Sequence, residues 1–430
     1  MRHETRGPST QNGTPYTGET MIPVQLYSWH FMPYPYLPPD FDQRYDSGWI
    51  TVPNSLWDRE RSRGLYQEYI DELVYADQLG FDGLVLNEHH QNIYGLMPSP
   101  NLIAAALTQN TSHGRIVILG NLLPLRSNPL RVAEEYAMLD NMSNGRLTAG
   151  FAVGGGHEMF NYNVSPSKAR EQFWEAADLI VRAWTEDGPF EHDGKYFPLR
   201  YVNAWPKPLQ TPHPPIWIPG ATSMETMAEV ARRGYTYFLS SRSHVRGTAA
   251  AARRFADVVE SHSGTFHPFR MGLLLSVYVA ETDEQAKVES EDAIWYFLKN
   301  TFKGHLRRRE GRVMTAAPGA TSPASWEAAL RNSDPAGKML GDAESWEEIE
   351  QMGSIIVGSP ETVRRRLWSY IDEAHLGLFL IQFHIGNLSR ELTNKSQRLF
   401  ATEVAPQLRA ESMDLFAKHY PQLADAEALV

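Results

Sequence analysis

The feature that most constrains the fold of this chain is a regular alternation between short apolar runs and longer segments with helical periodicity. Eight runs rich in leucine and β-branched residues recur from Met21 onward, separated by segments in which apolar residues repeat every three or four positions. This alternation is typical of parallel βα units. The predicted strands cover residues 22–30, 83–87, 115–121, 147–153, 215–219, 235–240, 270–280 and 377–384.

Eight such units favour a closed (β/α)8 barrel over an open doubly wound sheet, since no GxGxxG motif follows the first strand. Residues 190–203 carry an Asp-Gly turn between aromatic flanks and predict a β-hairpin insertion. Residues 281–353 are charged and mostly helical in pattern, which predicts a second insertion that acts as a lid. The domain prediction is therefore one barrel over residues 21–410, preceded by a disordered tail (1–20) and followed by a helix or tail (411–430).

Composition excludes several classes of function. Acidic residues outnumber basic ones by 51 to 40, giving a net charge of −11 that disfavours nucleic acid and anionic membranes. The chain has no cysteine, so disulfides, thiolate metal sites and cysteine nucleophiles are excluded. The first twenty residues lack the apolar core of a signal peptide, and no apolar run is long enough to span a membrane. We therefore expect a cytoplasmic protein. The basic run 303–312 could hold an anionic substrate or partner, but a solvated helix face is favoured.

Glu88, His89 and His90 follow the second predicted strand directly. In a barrel, catalytic groups lie at the carboxyl ends of the strands, so these three residues are the candidate catalytic set. A polar loop whose imidazoles merely satisfy nearby backbone groups is the alternative. Metal binding is disfavoured because adjacent histidines point in different directions and no HxH motif lies on the first strand. The aromatic loop of residues 31–57 is long enough to act as a further lid.

A possible phosphate site follows the fifth predicted strand, where Gly220, Thr222, Ser223 and Thr226 lie at the start of a helix. Glycine allows close approach to the backbone, and free amides with hydroxyl groups at a helix N-terminus bind phosphate. The spacing of Thr222 and Glu225 is also that of a capping box. On spacing alone, the capping box is favoured.

Glycines also follow the third and fourth predicted strands. Gly154, Gly155 and Gly156 are more than a tight turn needs, and their bare backbone could accommodate a flat ring or a ribityl chain. Gly120 permits close approach, and Asn121 offers an amide beside it. A simple turn is the alternative explanation for each.

Four segments, in this order, resemble the bacterial luciferase-like flavin-dependent monooxygenase family: LGFDGLVLNEHHQNIYG, PLRVAEEYAMLDNMSNGRLTAGFAVG, WPKPLQTPHPPIWIPGATSMETMAEVARRG and IVGSPETVRRRL. The resemblance extends over about residues 22–408. It implies a TIM-like barrel that binds FMN at its carboxyl end, with the FMN reduced by a separate flavin reductase. It further implies oxidation of a small or medium organic substrate by oxygen through a peroxyflavin, and a homodimer.

The resemblance also implies roles for individual residues. His89 and His90 would lie at the flavin, with His89 as the catalytic histidine, oriented by Glu88 or by backbone. The FMN phosphate would lie on Ser223 and Thr226 with the backbone of Gly220 and Thr222, and the isoalloxazine ring on the backbone of Gly120 and Asn121. Light-emitting luciferases carry a cysteine and an arginine where this chain has Ala152 and Val153. The amides of Gly155 and Gly156 are therefore expected to meet the phosphate charge instead.

Three other functions are compatible with the sequence. A deazaflavin could replace FMN as a hydride carrier, the chain could bind flavin without turnover, or a metal-dependent hydrolase could use the same barrel. The substrate is not predicted, but its pocket is expected to include Tyr27, Trp29, His30, Phe31, Trp295 and His384.

Overall fold

The computed structural model describes residues 21–50, 52–240, 244–262, 264–303, 308–309, 312–313 and 340–424. The predicted tail of residues 1–20 and most of the predicted lid beyond residue 303 lie outside this part of the chain. The strands in the described residues are β1 (Gln25–Trp29), β2 (Gly83–Leu86), β3 (Arg115–Leu122), β4 (Leu147–Ala152), β5 (Phe190–His192), β6 (Leu199–Val202), β7 (Ile216–Gly220), β8 (Thr236–Leu239), β9 (Met271–Val279), β10 (Arg308–Arg309), β11 (Arg312–Val313), β12 (Ile355–Gly358) and β13 (Leu378–Gln382).

The helices run between these strands and pack around the outside of the sheet. They are α1 (Phe41–Arg44), α2 (Leu65–Gln78), α3 (Pro100–Asn110), α4 (Leu130–Met142), α5 (Gly156–Asn161), α6 (Pro166–Thr185), α7 (Met224–Arg232), α8 (Val245–Ser261), α9 (Asp283–Tyr296), α10 (Trp346–Met352), α11 (Pro360–Ala374), α12 (Arg390–Leu399) and α13 (Ala405–His419). Helix α6 illustrates why they form: Phe173, Ala176 and Ile180 recur at helical spacing and are buried against the core. No described helix is both long and apolar enough to cross a bilayer.

Eight parallel strands close into a barrel in the order β1-β2-β3-β4-β7-β8-β9-β13, with β13 returning to β1. These are the eight strands predicted from the sequence, and the predicted closed barrel is confirmed. β12 is a ninth strand, which was not predicted. β8 pairs with the first residues of β9, and β12 pairs with the second half of the same edge, with Ile355 opposite Ser276. The stretch predicted as an insertion over residues 281–353 is therefore followed by a strand, because β12 starts a further βα unit with α11.

Two small hairpins lie outside the barrel. β5 and β6 pair antiparallel within the stretch predicted as a hairpin, with Phe190 opposite Val202. β10 and β11 also pair antiparallel, with Arg308 opposite Val313. The interpretation of the basic run as a helix face is therefore wrong for these residues, which adopt an extended conformation.

The strand register identifies the side chains that point into the barrel. Tyr27 on β1 and Trp217 on β7 belong to strands that are not neighbours, and their rings are 5.3 Å apart, so they meet through the interior. Directly paired residues of parallel strands point the same way, and side chains alternate along each strand. Two residues further toward the carboxyl end, the interior layer contains Trp29, Val85 and Gln382. This layer of side chains forms the floor of the barrel below its carboxyl end.

Candidate active site

His89 lies at the carboxyl end of the barrel, where the chain leaves β2. Its Nδ1 is 2.8 Å from Oε1 of Glu158, in the first turn of α5. The other carboxylate oxygen of Glu158 accepts a hydrogen bond from the amide of Gly155 at 2.7 Å. A carboxylate that accepts on both oxygens places a proton on Nδ1 of His89. Its Nε2 then carries the lone pair and can exchange a proton with a bound molecule.

The carboxyl group of Glu158 is ionised despite being buried. Burial alone would raise its pKa, but hydrogen bonds and electrostatic interactions with His157 and His89 outweigh burial and hold the pKa well below its usual range. The arrangement resembles the carboxylate–imidazole pairs that fix a catalytic histidine in one tautomer. Glu158 is therefore the residue that orients His89.

Glu88 orients His90. His89 was expected to be oriented by Glu88 or by backbone, and the first of these arrangements is not found. Oε1 of Glu88 is 2.6 Å from Nε2 of His90, and Oε2 accepts hydrogen bonds from Arg126 and from the amide of Leu122. The hydroxyl of Tyr162 is 2.8 Å from the remaining ring nitrogen of His90. Because both of its nitrogens are bonded within the protein, His90 is less available for proton transfer than His89.

Aromatic side chains from the loop 31–57 surround His89. The indole of Trp49 packs edge-on against the His89 ring at 5.2 Å, and Phe31 lies parallel to it at 6.4 Å. The loop is tied to the segment that follows β9: the Tyr296 hydroxyl donates to the carbonyl of Tyr34, and the amide of Gly48 donates to the carbonyl of Lys303. The two stretches predicted as lids therefore contact each other, and the first of them covers the histidine.

A second carboxylate lies between the ends of β1 and β13. Oε2 of Glu72 on α2 is 3.0 Å from Nε2 of His30 and 2.9 Å from Nδ1 of His384. The amide of Met32 donates to Nδ1 of His30 at 2.8 Å, so the proton of His30 is on Nε2. This network holds the start of the aromatic loop against the barrel. His30 and His384 were expected in the substrate pocket, whereas Glu72 was not predicted.

Two groups of three side chains are close enough to hold a metal ion: His30, Glu72 and His384, and His89, His157 and Glu158. A metal-binding imidazole normally donates through its other nitrogen, but Nδ1 of His30 accepts a hydrogen bond. Binding through Nε2 would therefore require an anionic ring. In the second group, both oxygens of Glu158 are bonded to protein donors. Hydrogen bonding accounts for both groups without a metal.

Glu72 makes a testable contribution to stability. Burial would raise its pKa, but the charge of His384 and the hydrogen bonds from both histidines lower it to about 2. A carboxyl group with a pKa depressed from 4.5 by that amount stabilises the fold by roughly 3 kcal/mol above pH 4.5, and the contribution is lost as the pH falls toward 2. We expect Glu72→Gln to lower the free energy of unfolding at pH 7, with a difference from wild type that narrows below pH 4.5. Urea unfolding from pH 7 to pH 3 measures this, and a constant difference would contradict it.

At the end of β7, the structure corrects the predicted helix cap. Ser223 caps α7 by accepting a hydrogen bond from the amide of Thr226, so the capping box of Thr222 and Glu225 is wrong. The hydroxyl of Thr222 is buried and has no hydrogen-bond partner among the described residues. A Cβ at Gly220 would come within 2.7 Å of the Tyr237 ring. A bare backbone, an unpaired hydroxyl and a helix N-terminus therefore meet here.

Gly154, Gly155 and Gly156 do not offer the free surface that was expected. The amide of Gly155 is bonded to Glu158, and a Cβ at Gly155 would come within 2.6 Å of the His157 ring. Gly156 begins α5, which has only six residues. Gly154 has a φ of 88°, which favours glycine. These glycines make the turn that delivers Glu158, and the Gly155 amide is not available for a phosphate.

Gly120 and Asn121 differ in what they can offer to a ligand inside the barrel. Asn121 points out of the barrel, where its amide donates to Asn101 and to the hydroxyl of Tyr136, each at 2.9 Å. Its side chain is therefore not offered to a ligand. Gly120 lies against Gly150, where a Cβ would come within 2.5 Å of the backbone. The contact between the Gly120 backbone and a flavin ring stays a prediction.

The functional residues missed from the sequence are Glu158, Glu72 and Arg126. Glu158 stands directly after the glycine run, so an acidic residue following a glycine turn at a strand end was an available signal. Glu72 lies on a helix, and Arg126 follows a short helical turn. Nothing in their local sequence distinguishes them from solvated charges.

Comparisons with known proteins identify the family of this chain. The family model described as "Luciferase-like monooxygenase" matches residues 49–374. The oxygenase component of flavin-dependent trigonelline monooxygenase from Acinetobacter baylyi is 27% identical over 263 residues, covering 60% of this chain and 71% of that protein.

Two solved structures share the fold. The oxygenating constituent of 3,6-diketocamphane monooxygenase from Pseudomonas putida, in complex with FMN, matches with a TM-score of 0.68 at 19% identity, covering 90% of this chain and 99% of that one. An F420-dependent secondary alcohol dehydrogenase matches with a TM-score of 0.62 at 16% identity, covering 90% of this chain and 100% of that one. Because the family model covers most of the barrel, the predicted resemblance is confirmed: the chain belongs to the luciferase-like monooxygenase family.

Proposed function

We propose that the protein is the oxygenase component of a two-component FMN-dependent monooxygenase that oxidises a small or medium organic substrate. The observation that carries this proposal is the pair of His89 and ionised Glu158 at the mouth of the barrel. The pair leaves Nε2 of the histidine available beneath aromatic side chains that keep water away.

The residues at the barrel mouth fit FMN. The hydroxyl of Thr222, which is buried without a partner, and the start of α7 suit a phosphate group, with Ser223 and Thr226 beside it. We place the flat ring against the backbone of Gly120, as the resemblance to the family implies. Glu88, His90, Gly154, Gly155 and Gly156 support this site indirectly, through the residues that they orient or position. Asn121 contributes backbone only.

The protein's own part in the reaction is to exclude water and to hold a proton. Bound reduced FMN supplies the electrons that activate oxygen. Trp49 and Phe31 cover the ring of His89, which limits the access of water to the site. Nε2 of His89 accepts or donates a proton next to the reacting group, while Glu158 stabilises the protonated imidazole.

The cofactor can be tested directly by mixing the purified protein anaerobically with FMN, reduced FMN or an oxidised deazaflavin and following absorbance and fluorescence. We expect binding of FMN and its reduced form. Binding of the deazaflavin alone would identify a hydride-transfer enzyme instead.

The two predicted protein partners can be tested separately. A separate flavin reductase is expected to support turnover with NADH or NADPH. Light scattering would test the predicted homodimer.

Ser223→Ala tests the phosphate site. In this structure the Ser223 hydroxyl donates to Glu225 at 2.6 Å, and we expect it to donate to the phosphate when FMN binds. We therefore expect FMN to bind about 10- to 100-fold more weakly to the variant, because a hydrogen bond to a charged group is lost, while riboflavin, which lacks the phosphate, binds unchanged. Ser389→Ala is the matched control, since Ser389 caps α12 in the same way. Fluorescence titration measures both ligands. Equal weakening of FMN and riboflavin would place the phosphate elsewhere.

A further inference from the structure

We propose that Asn87 and Trp29 form a binding site for a neutral ligand edge in which an N–H group stands next to a carbonyl, as in a lactam, an imide or a carboxamide. Either the flavin ring or an organic substrate can present such an edge. The flavin is a possible ligand only if the proposed function is correct, whereas the substrate does not depend on it.

Asn87 points into the mouth of the barrel. Gly83 is paired with Tyr27, which faces the interior, and side chains alternate along a strand, so Val85 faces inward as well. Asn87 lies two residues further and continues this inward row beyond the end of β2. Trp29 is paired with Val85 on the neighbouring strand. Trp29 therefore belongs to the interior layer that contains Val85, and Asn87 lies one layer above it on the neighbouring strand.

Both side chains have polar atoms without partners. Asn87 is 3% exposed, and neither its Nδ2 nor its Oδ1 has a hydrogen-bond partner among the described residues. The same holds for Nε1 of Trp29, which is 5% exposed. Buried amides are costly when unpaired and are normally satisfied. The adjoining side chains of Glu88 and His90 are bonded within the protein, so at this strand end Asn87 is the residue whose polar atoms have no partner among the described residues.

The unpaired atoms define the chemistry of the ligand. A primary amide offers N–H and C=O side by side in one plane, so it pairs with a group that presents C=O and N–H in the reverse order. The indole N–H of Trp29 adds a donor for a second acceptor. A carboxylate would place a negative charge next to Oδ1 of Asn87, and an ammonium group would place a positive charge next to its Nδ2. Both contacts are repulsive. The matching edge is therefore neutral.

The first test measures stability without ligand. Asn87→Leu replaces an unpaired buried amide with an apolar group of similar size, so we expect the melting temperature to rise. Asn121→Leu is the matched control, because the amide of Asn121 is bonded to Asn101 and Tyr136, and we expect its melting temperature to fall. A fall in the Asn87 variant comparable to the control would show that this amide has a structural role and would overturn the proposal.

The second test compares ligands with and without the N–H group. FMN is compared with 3-methyl-FMN, and 2-pyridone with 1-methyl-2-pyridone, each titrated into wild type and Asn87→Leu; the pyridones are titrated with and without FMN. We expect wild type to prefer the N–H form of one pair by about 10-fold or more, and the variant to show no preference. Preference within the flavin pair identifies the flavin as the source, and preference within the pyridone pair identifies the substrate.

The outcomes separate this proposal from the proposed function. No preference in either pair, or a preference that persists in the variant, overturns the site even if FMN binds normally. If FMN does not bind and the pyridone preference depends on Asn87, the proposed cofactor is wrong while the site stands.

Discussion

Replacing His89 with alanine is expected to leave FMN binding within about twofold of wild type and to lower product formation by about 10² to 10⁴-fold, with hydrogen peroxide released instead. The physical reason is that Nε2 of His89 is the group left free to hold a proton at the site, since both nitrogens of His90 are bonded to Glu88 and Tyr162. Product and peroxide per oxygen consumed are measured with any substrate that the wild type oxidises.

His89→Asn separates this effect from damage to the fold. The asparagine amide reaches the position of Nδ1 and can still donate to Glu158, but it has no group at the position of Nε2. We expect it to lose product as alanine does, while its melting temperature stays closer to wild type. Unchanged coupling of oxygen to product in either variant would rule out His89 as the catalytic histidine.

Glu158→Gln is expected to lower kcat on the order of 10²-fold without weakening FMN binding, because a neutral amide no longer stabilises the protonated ring of His89. The amide has one acceptor oxygen in place of two, so if it accepts from the Gly155 amide it can pair with His89 only by donating to Nδ1, which moves the imidazole proton to Nε2. The split between kcat and the FMN dissociation constant distinguishes a positioning role from a general loss of structure.

Glu289→Gln is the matched control for this variant. Glu289 also accepts several hydrogen bonds, from Tyr278, Gln285 and Lys395, but none of these residues contacts His89. We expect the control to lose stability and to retain kcat. An equal loss of kcat in both variants would show that Glu158 acts only through the fold.

Most of the barrel could be predicted from the sequence because its strands and helices differ in period. Buried parallel strands give apolar runs, and each is followed by an amphipathic helix such as α6. β12 (Ile355–Gly358) escaped prediction because it directly follows a charged stretch that was interpreted as an insertion, outside the eight predicted βα units. Its pairing with β9 identifies it as a strand.

The candidate site could be predicted only where neighbouring residues in the sequence act together. Glu88, His89 and His90 stand at one strand end, so their position was evident. The pairing was not, because Glu158 reaches His89 across 69 residues and Glu72 reaches His384 across 312. Such contacts depend on which strand ends are adjacent and on the direction of each side chain. For the same reason, the outward orientation of Asn121 followed only from the register of β3 and β4.

The central claim is that this barrel binds reduced FMN and controls its reaction with oxygen. The most direct measurement is rapid mixing of oxygenated buffer with protein that has been loaded anaerobically with reduced FMN, followed by flavin absorbance. We expect reoxidation in two phases, of which the second is slower than the reoxidation of free reduced FMN under the same conditions. A trace that coincides with that of free reduced FMN would contradict it.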